Sequence, residues 1–115
     1  MSISPTDIIL IRANCFKEKK PEYIYDFYHE DSEFRKFFRD KQEYAAHFED
    51  IFNGLRHCGL KVVSENTRNN LSEVKYIEYF IDKENNLLTY YCKSYLKKAA
   101  DEWLILKEVK ELTKG

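Results

Sequence analysis

His29, Glu30 and Asp31 form the densest acid–base cluster of the chain, with Asp26 three residues upstream. A histidine beside carboxylates has the chemistry of a general base or of a metal site. Adjacent loop residues seldom converge on one ion, and no second histidine stands at helical spacing. The cluster therefore reads first as capping and turn, second as part of a ligand pocket, and last as a catalytic pair of His29 and Asp26 at one helix end. His57-Cys58 has the residue types of a nucleophile pair, but neighbours in regular structure point apart, and the surrounding sequence shows no context that would activate the thiol. His47, beside Phe48, reads as an ordinary helical histidine. No set of residues has metal-ligand spacing, and no cofactor is implied.

Charged residues of the second half have a plainer use. Glu73, Lys75, Glu78, Lys93 and Lys107 would stand on the sheet, where exposed cross-strand ion pairs contribute about 0.2–1 kcal/mol each. Glu78 is the exception if it points inward, because burial is expected to raise a carboxyl's pKa and make it a candidate acid. Phe34, Arg35, Lys36, Phe37, Phe38 and Arg39 interleave rings with cations, as single-strand binders do. The Phe spacing equally suits core anchoring with solvated cations between, and that is the reading taken. Nineteen Lys and Arg against twenty Asp and Glu give a net charge of −1, so no basic footprint marks the whole domain and no nucleic-acid partner is expected.

Cys15, Cys58 and Cys92 lie roughly forty residues apart, which argues against a disulfide framework and against a zinc knuckle. Free buried thiols in a reducing cytoplasm are expected. The apolar run Ile8–Ile11 stops at Arg12, far short of the ~18 residues of a membrane span, and no basic signal region precedes it. A soluble, cytoplasmic protein without a membrane partner follows. The 115 residues suit one domain, 1–115, and 16% aromatic content supplies a core.

The elements that must position these residues change type halfway. Ser4, Pro5 and Asp7 open a first helix running to about Lys17, with Ile8, Ile11, Cys15, Ile9 and Phe16 on its apolar stripe. Pro21 opens a second helix with Ile24, Phe27 and Tyr28 on one face. Glu33 to Phe38 is expected to form a turn of helix that pins Phe34, Phe37 and Phe38. Asp40 followed by Glu43 has capping-box spacing and opens a third helix, ending near Asn53-Gly54 or His57-Cys58-Gly59. The period then becomes two. Strands are expected over Leu60–Arg68, Val74–Ile81, Leu87–Leu96 and Glu102–Leu112, with turns at Asn69-Asn70, Asp82–Asn86 and Lys97–Asp101. Three helices followed by a four-stranded meander define an α+β domain.

That order resembles the nuclear-transport-factor-2-like cone, in which a curved antiparallel sheet wraps helices. More closely, Ile11-Arg12-Ala13-Asn14-Cys15-Phe16 and the segment Tyr23 to Ser32 resemble the central domain of YchJ-like bacterial proteins. That family pairs an early Arg-containing helix with a Tyr-rich helix ending in a His-Pro-x-Ser-like turn, where this chain has Glu30 in place of the Pro. It also tends to carry Glu-x-Ser-x-Phe before a Trp-containing last strand. Ser94 and Trp103 match, while Cys92 and Leu96 replace the Glu and Phe. Members usually flank the domain with SEC-C zinc motifs, which this chain lacks, so the resemblance implies a fold and no settled activity.

A binding or interaction domain is the expected function. A small apolar ligand would lie between sheet and helices, lined by Tyr25, Phe27, Tyr76, Tyr90 and Cys92. The alternative is a small isomerase- or dehydratase-type enzyme of the same cone, using His29 and Asp26. Strands three and four are apolar on both faces around Leu87, Tyr91, Tyr95, Trp103 and Leu104. Homodimerisation through the sheet is the expected cover for the second face. Trp103, the single Trp, is expected to anchor the core.

Overall fold

Ser4 and Asp7 close a reciprocal cap, each side chain accepting the other's backbone N–H at 3.1 Å. From that cap α1 (Pro5–Lys17) begins as the sequence predicts. In the computed structural model, which describes residues 3–52 and 54–113, it is followed by α2 (Pro21–Tyr25), α3 (Glu33–Phe37) and α4 (Lys41–Ile51). The described residues thus form four helices, one more than expected. Ser32 is buried and accepts from the Arg35 N–H at 3.1 Å, which gives the five-residue α3 a cap of its own. α2 stops three residues before Tyr28, because Phe27 and His29 exchange backbone hydrogen bonds of 2.8 Å with Ile105 instead. Asp40 caps α4 by accepting from the Glu43 N–H at 2.9 Å. The Glu43 side chain does not complete the box and pairs with Arg39 at 2.9 Å. Asn53, one expected end of this helix, lies outside the described residues. No helix among those described is long and apolar enough to cross a membrane.

The second half is a meander of β1 (Arg56–Arg68), β2 (Leu71–Ile81), β3 (Leu87–Ala99) and β4 (Glu102–Thr113), antiparallel in that order. All four strands are longer than expected, β4 by a single residue. β1 takes in His57-Cys58-Gly59, read beforehand as a helix stop, by absorbing a register shift between His57 and Gly59. Strict alternation in β2 sends Ser72, Val74, Tyr76, Glu78 and Phe80 inward against the helices. Cys92, Ser94 and Leu96 of β3 face the same way. A register shift in β4 turns Ile105, Glu108 and Lys110 to the inner side, opposite Leu96, Ser94 and Cys92. Trp103 is buried on that side opposite Lys98, as its expected anchoring role requires.

Candidate functional site

The buried stripe of α1 reads Ile8, Ile9, Arg12, Ala13, Cys15, Phe16. Its spacing of three and four places Arg12 in the middle of the face that lies on the sheet. A guanidinium cannot be left there alone, and the inner face of the sheet supplies its partners. Arg12 Nη2 donates to the Tyr76 hydroxyl at 3.0 Å and to Glu78 Oε1 at 3.4 Å. Nη1 donates to the Tyr28 hydroxyl at 3.3 Å and lies 2.9 Å from Glu108 Oε2.

Glu78 is the hub of the cluster. Its carboxylate receives the Lys110 ammonium at 2.9 Å and the ring Nε2 of His57 at 2.9 Å. Burial alone would raise its pKa, as the sequence suggested. Arg12, the His57 hydrogen bond and Lys110 together outweigh burial and hold the carboxyl below the usual carboxylate range. An ionised carboxylate only accepts, so His57 carries its hydrogen on Nε2. Glu78 is thus a fixed anion and not a candidate acid. Arg12 is pushed well above its ordinary value despite burial, chiefly by Glu108 and the two tyrosines. Burial and then Glu108 push the Tyr28 hydroxyl up, and it donates to Glu108 Oε1. Burial lifts the Cys92 thiol to about 11. Arg12 and Lys110 balance Glu78 and Glu108, so the cluster carries two charges of each sign.

Above it opens a cleft of about 560 Å3. Arg12, Glu108 and Lys110 lie at its charged end, and Phe16, Tyr28, Phe34, Phe37, Phe38, Tyr44, Phe52, Leu55, Phe80 and Tyr90 form the walls, with Glu33 among them. That volume falls within the range usual for small-molecule sites. The rings hold one another in place: Tyr28 and Phe34 stack with centroids 3.8 Å apart, and Phe34 meets Tyr44 edge-on at 4.8 Å. Two buried atoms of the charged end have no hydrogen-bond partner, Arg12 Nε and Glu108 Oε2. The 2.9 Å contact between Arg12 Nη1 and Oε2 is an ion pair that misses hydrogen-bond direction.

The residues singled out from the sequence are distributed around this site. Tyr90 is in the cleft wall. Tyr76 and Cys92 lie in the layer beneath, touching Arg12 and Glu78. Tyr25 packs on the far side of Phe34, its hydroxyl donating to the Phe38 carbonyl at 3.3 Å. Phe27 is half-buried against the core, and its carbonyl binds β4. His29 and Asp26 are not brought together. His29 is buried, with Nδ1 accepting the Asp31 N–H at 3.0 Å, whereas Asp26 is exposed and pairs with Lys41 at 3.0 Å. His57, set aside as structural, and Arg12, Glu108 and Lys110 were missed. The available signal was Arg12, a lone cation within an otherwise apolar helical stripe.

No protein-family model matches the sequence, and no curated protein does. Solved structures do match. A SEC-C motif containing protein from Rhodopseudomonas palustris aligns at 20% identity with a TM-score of 0.75, over 93% of this chain and 78% of its own. A protein with a cystatin-like fold from Nostoc punctiforme aligns at 15% identity and 0.67, over 98% and 96%. A protein with a ketosteroid isomerase-like fold from Catenulispora acidiphila, solved in complex with trimethylamine, aligns at 7% and 0.64, over 94% and 86%. At these identities the likeness is one of fold. The chain has the α+β, nuclear-transport-factor-2-like architecture expected from its order of elements.

Proposed function

We propose that this chain is a binding domain whose aromatic cleft holds a small, largely apolar molecule carrying a hydrogen-bond donor. The observation that supports it is the charged end of the cleft, where Glu108 Oε2 is buried without a donor beneath walls of Phe and Tyr rings. A ligand hydroxyl or amine would satisfy that oxygen, and the rings would take up the apolar remainder. Binding is preferred over the isomerase or dehydratase reading because Glu78 and Arg12 are held charged and Tyr28 and Cys92 are held neutral across the working pH range. Proton transfer is most efficient from a group poised near the working pH. The same proposal takes 1–115 as one domain, related to the YchJ-like central domains through the Arg12 and Trp103 segments. The SEC-C neighbour of like fold supports that kinship, and three free cysteines support a reducing, cytoplasmic setting.

Three probes test the site: 2-phenylethanol, 2-phenylethylamine and phenylacetate, followed by melting temperature and amide NMR. The alcohol and the amine should stabilise the chain and shift the amides of Phe34, Tyr90 and Lys110, and the carboxylate should do neither. Phe37 is 76% exposed, so Phe37→Ala should leave the fold intact while weakening binding by about tenfold. Silence from all three probes, or shifts confined to another surface, would remove the proposal.

A further inference from the structure

Strand register sorts the sheet's side chains onto two faces, and the outer face has a charge of its own. Lys61, Arg68, Lys75, Lys93, Lys97 and Lys107 occupy outer positions in four consecutive cross-strand rows, where the carboxylates are Glu73 and Glu111. Six cations against two is a strong bias in a chain whose totals are 19 and 20. The remainder of the molecule is correspondingly acidic. Lys75 stands directly opposite Lys93, an arrangement of like charges that weakens a sheet. Glu73 approaches Lys75 only to 3.9 Å. Among the described residues the other five cations make no ion pair.

Apolar surface lies between these cations. One cleft of about 490 Å3 is formed by Val63, Ile77, Tyr91 and Val109, with Lys75, Lys93 and Glu111 in its lining. A second of about 500 Å3 lies among Leu71, Tyr95 and Leu106, with Arg68, Lys107 and Glu73 beside it. Val63, Leu71 and Tyr91 are each more than half exposed. Tyr91 and Tyr95 are four residues apart on β3, or roughly 13 Å. Apolar side chains two turns apart on a helix lie about 11 Å from one another, within reach of both clefts.

We infer that the outer face of the sheet docks an acidic, amphipathic segment of another protein. Its apolar side chains enter the two clefts and its carboxylates meet the unpaired cations. Aliphatic surface outweighs aromatic surface here, which disfavours a single-stranded nucleic acid, whose bases stack on rings. A second copy of this chain, laid face to face, would set six cations against six.

The test uses a fluorescein-labelled peptide of leucine and glutamate, about 18 residues long, with leucine at helical spacing. Polyglutamate and oligouridylate of similar charge serve as comparisons. Anisotropy with the full chain should show the peptide binding best. Lys75→Glu with Lys93→Glu should weaken it at least tenfold, and Tyr91→Ser should weaken it without altering the fold. Asp50→Lys on α4 should change nothing. Equal binding of polyglutamate, tighter binding of the oligonucleotide, or indifference to both sets of variants would overturn the inference. So would a dimer in sedimentation that the lysine reversals tighten, since relief of repulsion identifies a second copy as the occupant.

Discussion

Arg12 carries a positive charge into a region where water cannot reach it, and the protein answers with groups from two strands and a loop. Removing one member of such a buried set strands the others, at a cost of about 3–5 kcal/mol. Glu78→Gln is therefore expected to lower stability at pH 7 by that order, measured by urea unfolding. Its pH dependence is informative. The folded carboxyl sits below its ordinary value of 4.5, so its stabilisation is complete above about pH 4.5 and declines as pH falls toward the folded value. Wild type should lose stability steeply on acidification below that point, and Glu78→Gln should show a shallower decline. Equal acid limbs would mean that Glu78 is not held by Arg12, His57 and Lys110. Sequence reasoning reached Glu78 as a residue that mattered if it pointed inward, but gave the shift the wrong direction. Desolvation can be read from a strand pattern. The partners arrive from residues 66 and 21 positions before and 32 after, and a linear sequence does not show them.

At the scale of elements, the tight turn between β3 and β4 is the least comfortable stretch of backbone. Ala100 and Asp101 adopt φ of 50° and 68°, a left-handed pair suited to a two-residue hairpin but not to a Cβ. Ala100→Gly is expected to raise stability by roughly 0.5–1 kcal/mol, since an L residue pays about 1–2 kcal/mol in that conformation and glycine returns part of the gain as chain entropy. A melting temperature that falls on this substitution would show that the Ala100 methyl makes a contact worth more than the strain. Element types were legible wherever side-chain chemistry acts locally: Ser4 and Asp40 as caps, Pro21 as a first-turn residue, alternation through β2. Boundaries were not, where tertiary contacts decide. α2 yields Phe27 to Tyr28 to the edge of β4, and α3 needs only Ser32 and one turn, too little to stand out from a run of Phe.

Taken whole, the molecule is electrically two-sided, a property that a net charge of −1 conceals. Its sequence pI of about 6.3 predicts passage through a sulfonate cation exchanger at pH 7. The basic outer face predicts retention at low salt, with elution advanced when Lys75 and Lys93 are both reversed to Glu. Flow-through of the unaltered chain would show the face too diffuse to act as a unit. The sequence pattern did reveal that both faces of β3 and β4 are apolar; the charge segregation needed the register. The pairing of Tyr28 with Ile105 has a further consequence. During synthesis the helical half leaves the ribosome first, carrying Arg12 and its apolar neighbours, but the backbone that receives Phe27 to His29 and the carboxylate of Glu108 come last. Until then α1 can dock on β1 and β2, but the segment from Phe27 to His29 has no strand to pair with. The nascent chain is committed to a long interval of exposed Phe and Tyr, and folding must wait for contacts between distant parts of the chain. Chaperone demand should thus concentrate on the period just before β4 emerges.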